Sequence, residues 1–408
     1  MIDGEHYAPV VRDALAELPY EFAAAYLAGG TEKLRGDDEY GVPVLDDLDA
    51  ALAQYAPSIV VDLSDEPVLG PRERFRLASR VLARGLSYVG PDFSFEPPPL
   101  EQFPLPSLAV IGTGKRMGKT AVAGYVARLL SAERDVVVVA MGRGGPPEPE
   151  LASVSPTVED LLELSRAGQH AASDYLETAA LAGVVTIGCR RCGGGLAGAT
   201  AISNVAAGAE LAAAQHPELV IFDGSGAAIP PIAAGKRLLV AGAHQSPDIV
   251  AGYLNSYRIL VSDLVVLTMA EEGSRYEELK AVVGEVKDVP TVACILRPRP
   301  ITPIRGRRVA YFTTAPQGAH DVLAEHLGAE HEAEVVGVSG NLARREALRE
   351  DIDRLEAEVY LVEIKAAAID VVAEEAQRRG VELVFADNAV VPLEGEPDLD
   401  EELRRLVA

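Results

Sequence analysis

The sequence predicts an α/β protein: a mostly parallel sheet with helices on both faces, preceded by a smaller α/β domain. Three observations predict it. First, the apolar, β-branched runs "SLAVIG", "DVVVVAMG", "GVVTIG", "LVIFDG", "RLLVAG", "DLVVLTMA" and "TVACILRP" recur through the middle of the chain with helix-like stretches between them. Second, these runs are continuously apolar rather than alternating, as parallel strands covered on both faces should be. Third, several end in glycine-rich or polar segments. Ligands of such sheets sit beyond the carboxyl ends of the strands, which selects the loops after Ile111, Ala140, Ile187, Phe222 and Leu296.

Taken in order, residues 1–95 form a first α/β unit. Its "YEFAAAYLAGG" ends in a glycine pair suited to a turn, and "SIVVDLSDEPVLG" runs from a short strand into an acidic loop before the helix-like "PRERFRLASRVLARG". The stretch "DFSFEPPPLEQFPLPS" concentrates proline and aromatic residues where neither helix nor strand is expected to continue, so residues 96–107 read as a linker. Residues 108–314 carry the strand series and form the central unit. The last segment, 315–408, repeats the rhythm with "EVVGVSG", "AEVYLVE" and "GVELVFADNAVV", either as a domain or as a lobe folded back on the central unit. No repeat, heptad pattern or low-complexity tail interrupts this order.

Composition narrows the function. With 408 residues, 62 acidic against 37 basic and a formal charge of −25, the chain repels polyanions at long range, and nucleic acid is not an expected partner. A small anion is different, because "GRGG", "GCRRCGGG" and "LRPRPITPIRGRR" concentrate arginine locally. The start "MIDGEHYAPVVRDAL" has no signal-peptide pattern, and no apolar run reaches the ~20 residues of a membrane span, so a cytoplasmic protein without membrane partners is expected. Three cysteines fit a reducing compartment, and Cys189 and Cys192 form a lone Cys-x-x-Cys pair without a second for a structural zinc site. His216, His244, His320, His326 and His331 show no metal-ligand spacing and read as surface or core histidines.

The most informative stretch is "LAVIGTGKRMGKTAVAGYVARLL", a strand, a glycine-rich bend and a helix. The bend is Gly112, Thr113, Gly114, Lys115, Arg116, Met117, Gly118, Lys119 and Thr120. It departs from the strict G-x-x-x-x-G-K-[ST] pattern, since threonine stands at position 113 where the first glycine would fall. The physics is retained: backbone N–H groups from Lys115 to Thr120 and the helix N-terminus favour phosphate oxygens. Lys119 would reach the β and γ phosphates, and Thr120 would give a hydroxyl to Mg2+. The expected fold is therefore P-loop NTPase-like, and the expected ligand ATP.

A carboxylate for the metal should come from a neighbouring strand end, and Asp223 closes "LVIFD" ahead of two glycines. Asp263 stands at the start of its strand, and Asp62, Asp65 and Glu66 end a strand of the first unit. For these a capping or solvent role is the simpler reading. Arg143, Arg190 and Arg191 follow inferred strand ends amid glycines, where bidentate guanidinium groups suit phosphate and carboxylate. Ser203 and Asn204 open a helix that would contact the same ligand or simply be capped by them. Lys115, Lys119, Arg143, Arg190, Arg191 and Asp223 are the candidate catalytic set.

The ordered combination of "DGEHYAPVV", "VIGTGKRMGKTAV", "GCRRCGGG", "IFDGSGAAIPP" and "EIKAAAIDVV" resembles the cyclic 2,3-diphosphoglycerate synthetase family over most of the chain. The G-T-x-x-x-x-G-K-T loop also resembles that of dethiobiotin synthetase-like NTPases. The first resemblance implies conversion of 2,3-bisphosphoglycerate and ATP into cyclic 2,3-bisphosphoglycerate, ADP and phosphate, with Mg2+ and K+ assisting. It also implies a small polyanionic substrate, and the expected assembly is a homodimer. The residues alone also fit another ATP-dependent ligase or kinase acting on a small phosphorylated or carboxylic acid, or a nucleotide-driven switch protein.

Overall fold

A computed structural model describes residues 1–30, 39–152, 156–167, 174–364 and 368–408. Residues 365–367 of "EIKAAAIDVV" lie outside these. Among the described residues the core is one 13-stranded sheet. Its parallel stretch runs Val185–Cys192, Val136–Gly142, Leu219–Asp223, Ser107–Gly112, Lys236–Gly242, Leu264–Thr268 and Thr291–Pro300. Ser107–Gly112 and Val136–Gly142 are buried at every position, which accounts for their uninterrupted apolar sequence.

Strand alternation sorts the side chains to two covered faces. Leu108, Val110, Val138, Ile221 and Val240 meet Val122, Ala123, Val126, Ala127 and Leu130 of helix Lys119–Ser131, together with Leu399 and Leu403 of the final helix. Ala109, Ile111, Val139, Phe222 and Leu239 meet Val205, Ala209 and Ala212 of helix Val205–Ala213 on the other face. Full burial of each such Val or Leu contributes ~1.5–3 kcal/mol. The sheet then continues by one antiparallel pairing, Thr291–Pro300 against Glu382–Pro392, into the parallel strands Val359–Glu363, Arg308–Phe312 and Glu334–Ser339. A single sheet thus runs from the phosphate loop through the C-terminal segment.

The first unit contains helices Ala8–Glu17, Leu48–Tyr55 and Pro71–Leu82 and a small sheet of Ile59–Val61, Ser87–Val89 and Ser94–Phe95. Leu77, Ala78, Val81 and Leu82 belong to the same apolar cluster as Ile111 and Phe222, so this unit packs on the second face of the central sheet. The proline-rich stretch is not free of strands as expected. Ser94–Phe95 pairs with Ser87–Val89, and Glu101–Gln102 pairs with Ile232–Ala233, because the prolines flank these dipeptides instead of occupying them. Among the described residues, no helix is long and apolar enough to cross a membrane.

Candidate functional site

The bend between Gly112 and Lys119 is held from three sides. Thr113 N donates to Val240 O at 3.1 Å, and Thr113 Oγ1 donates to Gln245 Oε1 at 2.6 Å. Thr268 Oγ1, at the end of its strand, donates to Met117 O at 2.7 Å. Arg116 and Gly118 take left-handed conformations at φ 60° and 70°. At Gly118 a Cβ would lie 2.8 Å from Leu296 Cδ1, so this glycine serves both the turn and a close approach. Lys115 and Arg116 are exposed, while Met117 and Lys119 are buried and Gly114, Gly118 and Thr120 are half-buried.

Asp223 is the last residue of Leu219–Asp223 and is 1% exposed. Lys119 Nζ donates to its Oδ1, forming a buried ion pair between the phosphate loop and the adjacent strand end. Burial pushes the Asp223 carboxyl up to about 6, Lys119 opposes the rise, and Asp174 adds to it. Asp174, which opens helix Asp174–Ala182, also lies beside Gly142, where a Cβ would be 3.9 Å from its Oδ2. Sequence reading passed over Asp174, because nothing in its local pattern links it to a strand end.

The other acidic candidates are engaged elsewhere. Asp263 Oδ2 accepts from Arg237 N at 2.8 Å at the amino end of its strand. Asp62 is buried within the first unit, where it accepts from Arg74 Nε at 2.9 Å, Tyr88 OH at 2.6 Å and Ser64 N at 2.9 Å. Asp65 is exposed and lies 3.4 Å from His6 Nε2, and Glu66 is exposed.

The guanidinium groups of Arg143 and Arg191 and the stem of Lys115 meet at the loop after Asp223. A Cβ on Gly226 would lie 3.1 Å from Arg143 Nη2, 3.6 Å from Lys115 Cγ and 3.8 Å from Arg191 Nη2. Gly226 has φ 59°, and the absence of a side chain lets these groups approach its backbone. Arg191 is held by its own donors: Nη1 to Gly193 O at 2.6 Å, and Nη2 to Ser225 O at 2.8 Å and Ser225 Oγ at 3.2 Å. Burial, then the neighbouring Arg143 charge, lowers its pKa.

Arg190 and Arg191 do not follow a strand end as expected; both lie within Val185–Cys192. The strand outruns its apolar core because Arg191 and Cys192 pair antiparallel with Ser203 and Ile202, while Arg190 pairs with Gly142. Alternation therefore sends Arg190 to the face opposite Arg191, and it is exposed. Arg143, by contrast, directly follows Val136–Gly142. Asn204 precedes helix Val205–Ala213 without capping it by its side chain. Its Oδ1 accepts from Arg190 N at 2.7 Å and its Nδ2 donates to Pro146 O and Pro147 O at 3.2 Å, tying the two arginine-bearing loops together. Ser203 Oγ accepts from Val205 N at 3.1 Å.

Comparison with known proteins adds the family context. Three domain families match in sequence: cyclic 2,3-diphosphoglycerate synthetase N-terminal domain over residues 1–96, its P-loop domain over 107–297 and its C-terminal domain over 300–389. A cyclic 2,3-diphosphoglycerate synthetase of Rubrobacter xylanophilus is 52% identical, covering 95% of this chain and 92% of its own. One from Thermococcus gammatolerans is 44% identical over 100% and 96%, and one from Methanothermobacter thermautotrophicus 40% identical over 98% and 93%. LpxK of Aquifex aeolicus, solved with ATP, is a loose structural likeness: 16% identity, 76% of this chain and 91% of its own, TM-score 0.43.

Proposed function

The chain belongs to the cyclic 2,3-diphosphoglycerate synthetase family, and from that premise we propose how its residues divide the work. It is an ATP-dependent ligase that closes 2,3-bisphosphoglycerate into cyclic 2,3-bisphosphoglycerate with release of ADP and phosphate. The observation that carries the division is the meeting of Arg143, Lys115 and Arg191 around Gly226, beside the Lys119–Asp223 pair.

In this reading ATP lies along the loop from Gly112 to Thr120, with backbone N–H groups toward its phosphates and Lys119 leaving or sharing Asp223 to reach the β and γ oxygens. The substrate's phosphates and carboxylate occupy the space bounded by Arg143, Lys115 and Arg191. An oxygen of one substrate phosphate attacks the γ phosphorus, the bond to ADP breaks, and a pyrophosphoryl group forms. An oxygen of the second phosphate then attacks the phosphorus nearer the carbon skeleton; the anhydride bond to the terminal phosphate breaks and the ring closes as phosphate leaves. No protein nucleophile is needed. The residues bring mutually repelling anions together and oppose the charge that develops on the transferring group.

Thr120 and Asp223 supply hard oxygen donors of the kind Mg2+ accepts together with nucleotide phosphates, so the donor chemistry fits this ion. When bound, Mg2+ would neutralise charge on the transferred phosphoryl oxygens. A K+ requirement is part of the proposal without an assigned ligand. Arg190 is retained as an outer contact for the substrate, reaching it only from the opposite strand face. The proposal also divides the chain into residues 1–95, a connecting stretch 96–107, a catalytic unit 108–314 and a C-terminal lobe 315–408, working as a homodimer in the cytoplasm. Calorimetric titration of 2,3-bisphosphoglycerate into wild type and an R143A/R191A double variant tests the pocket. Loss of this binding with ATP binding retained is expected; unchanged binding of bisphosphoglycerate overturns the assignment.

A further inference from the structure

Helix Asn255–Leu260 carries a guanidinium that none of the steps above uses. Arg258 is 2% exposed, and among the described residues every group it donates to is uncharged. Nε and Nη2 donate to Ala227 O at 3.1 and 2.5 Å. Nη1 donates to Leu196 O at 3.0 Å, to Leu254 O at 3.1 Å and to Asn255 Oδ1 at 3.0 Å. Burial lowers its pKa to about 10, which leaves it charged at neutral pH. A buried cation with only carbonyl and amide acceptors is a poor device for stability alone.

The acceptors show what it does instead. Ala227 and Leu196 lie on two different loops, the one after Asp223 and the glycine-rich one after Cys192. Arg191 bridges the same two loops through Gly193 O and Ser225 O. Ile229 N donates to Gly198 O at 2.9 Å between them, and a Cβ at Gly198 would lie 2.7 Å from Ile229 Cγ1. Arg191 thus clasps the loops at the pocket and Arg258 clasps them from behind, one residue from Gly226. A planar fork with donors in fixed directions can hold both loops at once, which an ammonium cannot do with the same geometry.

We propose that Arg258 is a positioning residue for the bisphosphoglycerate pocket: it sets the separation of the loops around Leu196 and Ala227 so that Arg191, Arg143 and Lys115 surround Gly226. The inference rests on the reading of that space as the substrate pocket. Its positive charge also adds to the local potential that the pocket sets against the acidic molecule. Helix Pro71–Leu82 of the first unit packs against the helix carrying it, and beside this contact the Phe75 ring lies 5.7 Å from that of Tyr253 and Arg72 pairs with Asp248 at 3.3 Å.

The test compares full-length R258K, R258M and R191A with wild type, measuring KM for 2,3-bisphosphoglycerate and for ATP separately. Amide hydrogen exchange across residues 193–200 and 224–229 is followed in parallel. R258K is expected to raise the bisphosphoglycerate KM ~10-fold, to leave the ATP KM within about 2-fold, and to speed exchange in both loops, with R258M more severe. Should R258M not fold, R258K carries the test. If R258K leaves the bisphosphoglycerate KM unchanged, or raises both KM values alike, while R191A raises only that for bisphosphoglycerate, the inference falls and the pocket stands. If R191A has no effect on that KM either, the pocket reading falls and this inference with it.

Discussion

Lys119 and Asp223 neutralise each other across the space between the phosphate loop and the neighbouring strand end, both almost fully buried. In the proposed roles ATP takes the lysine and Mg2+ the carboxylate, and the pair would hold both groups in place until they bind. K119A removes the phosphate contact and leaves Asp223 without its cation. Turnover should fall ~10²–10³-fold, with the protein still folded by circular dichroism. Near-wild-type ADP release by the folded variant would refute the role given to Lys119.

The Asp223 carboxyl is raised to about 6 because burial outweighs the attraction of Lys119. A carboxyl whose folded pKa exceeds its unfolded value binds more protons in the folded state, so it favours folding at low pH. That contribution is lost as pH rises through about 6. D223N should therefore become progressively more stable than wild type between pH 4 and pH 7 in the ligand-free protein, by at most ~3 kcal/mol, while losing metal-dependent turnover. Urea denaturation at the two pH values measures the difference. A shift in favour of wild type would show that the ion pair dominates instead.

The arginines should separate in kinetics as they separate in space. R143A and R191A are each expected to raise the bisphosphoglycerate KM or lower cyclisation by ~10–100-fold, with ATP binding little changed. R190A should stay within about 3-fold of wild type, since its side chain leaves from the opposite face. Equal effects of all three substitutions would contradict the placement.

Gly118 tests the loop geometry independently of charge. G118A places a Cβ 2.8 Å from Leu296 Cδ1 on a backbone at φ 70°. Strain of this kind costs ~1–3 kcal/mol, so ATP affinity should fall ~5–150-fold if the loop relieves it by moving. Nucleotide titration reads this directly, and unchanged affinity would argue that the loop tolerates the side chain.

Much of this arrangement was legible in local sequence. The strand, bend and helix around Lys119 declare themselves because turn chemistry and apolar spacing act within a few residues, and the same holds for Asp223 at the end of "LVIFD". What could not be read depends on pairing between distant segments. The extension of Val185–Cys192 through Arg190 and Arg191 follows from pairing with Gly142 and with Ile202–Ser203, and that extension sends the two arginines to opposite faces. The strands within the proline-rich stretch follow likewise from partners at Ser87–Val89 and Ile232–Ala233. Asp174 and Arg258 matter through contacts with segments that are far away in sequence, and neither sits in a pattern that marks it; Asn204 is marked by its place before a helix, but its ties to Arg190 N, Pro146 O and Pro147 O are not.

Phosphorus NMR of the full-length protein with 2,3-bisphosphoglycerate, ATP, Mg2+ and K+ tests the central claim most directly. The account predicts a new pair of resonances from the internal pyrophosphate ring, growing in proportion to ADP and inorganic phosphate, in wild type and not in K119A. ATP hydrolysis without ring resonances, together with efficient ATP-dependent conversion of a different small acid, would contradict it.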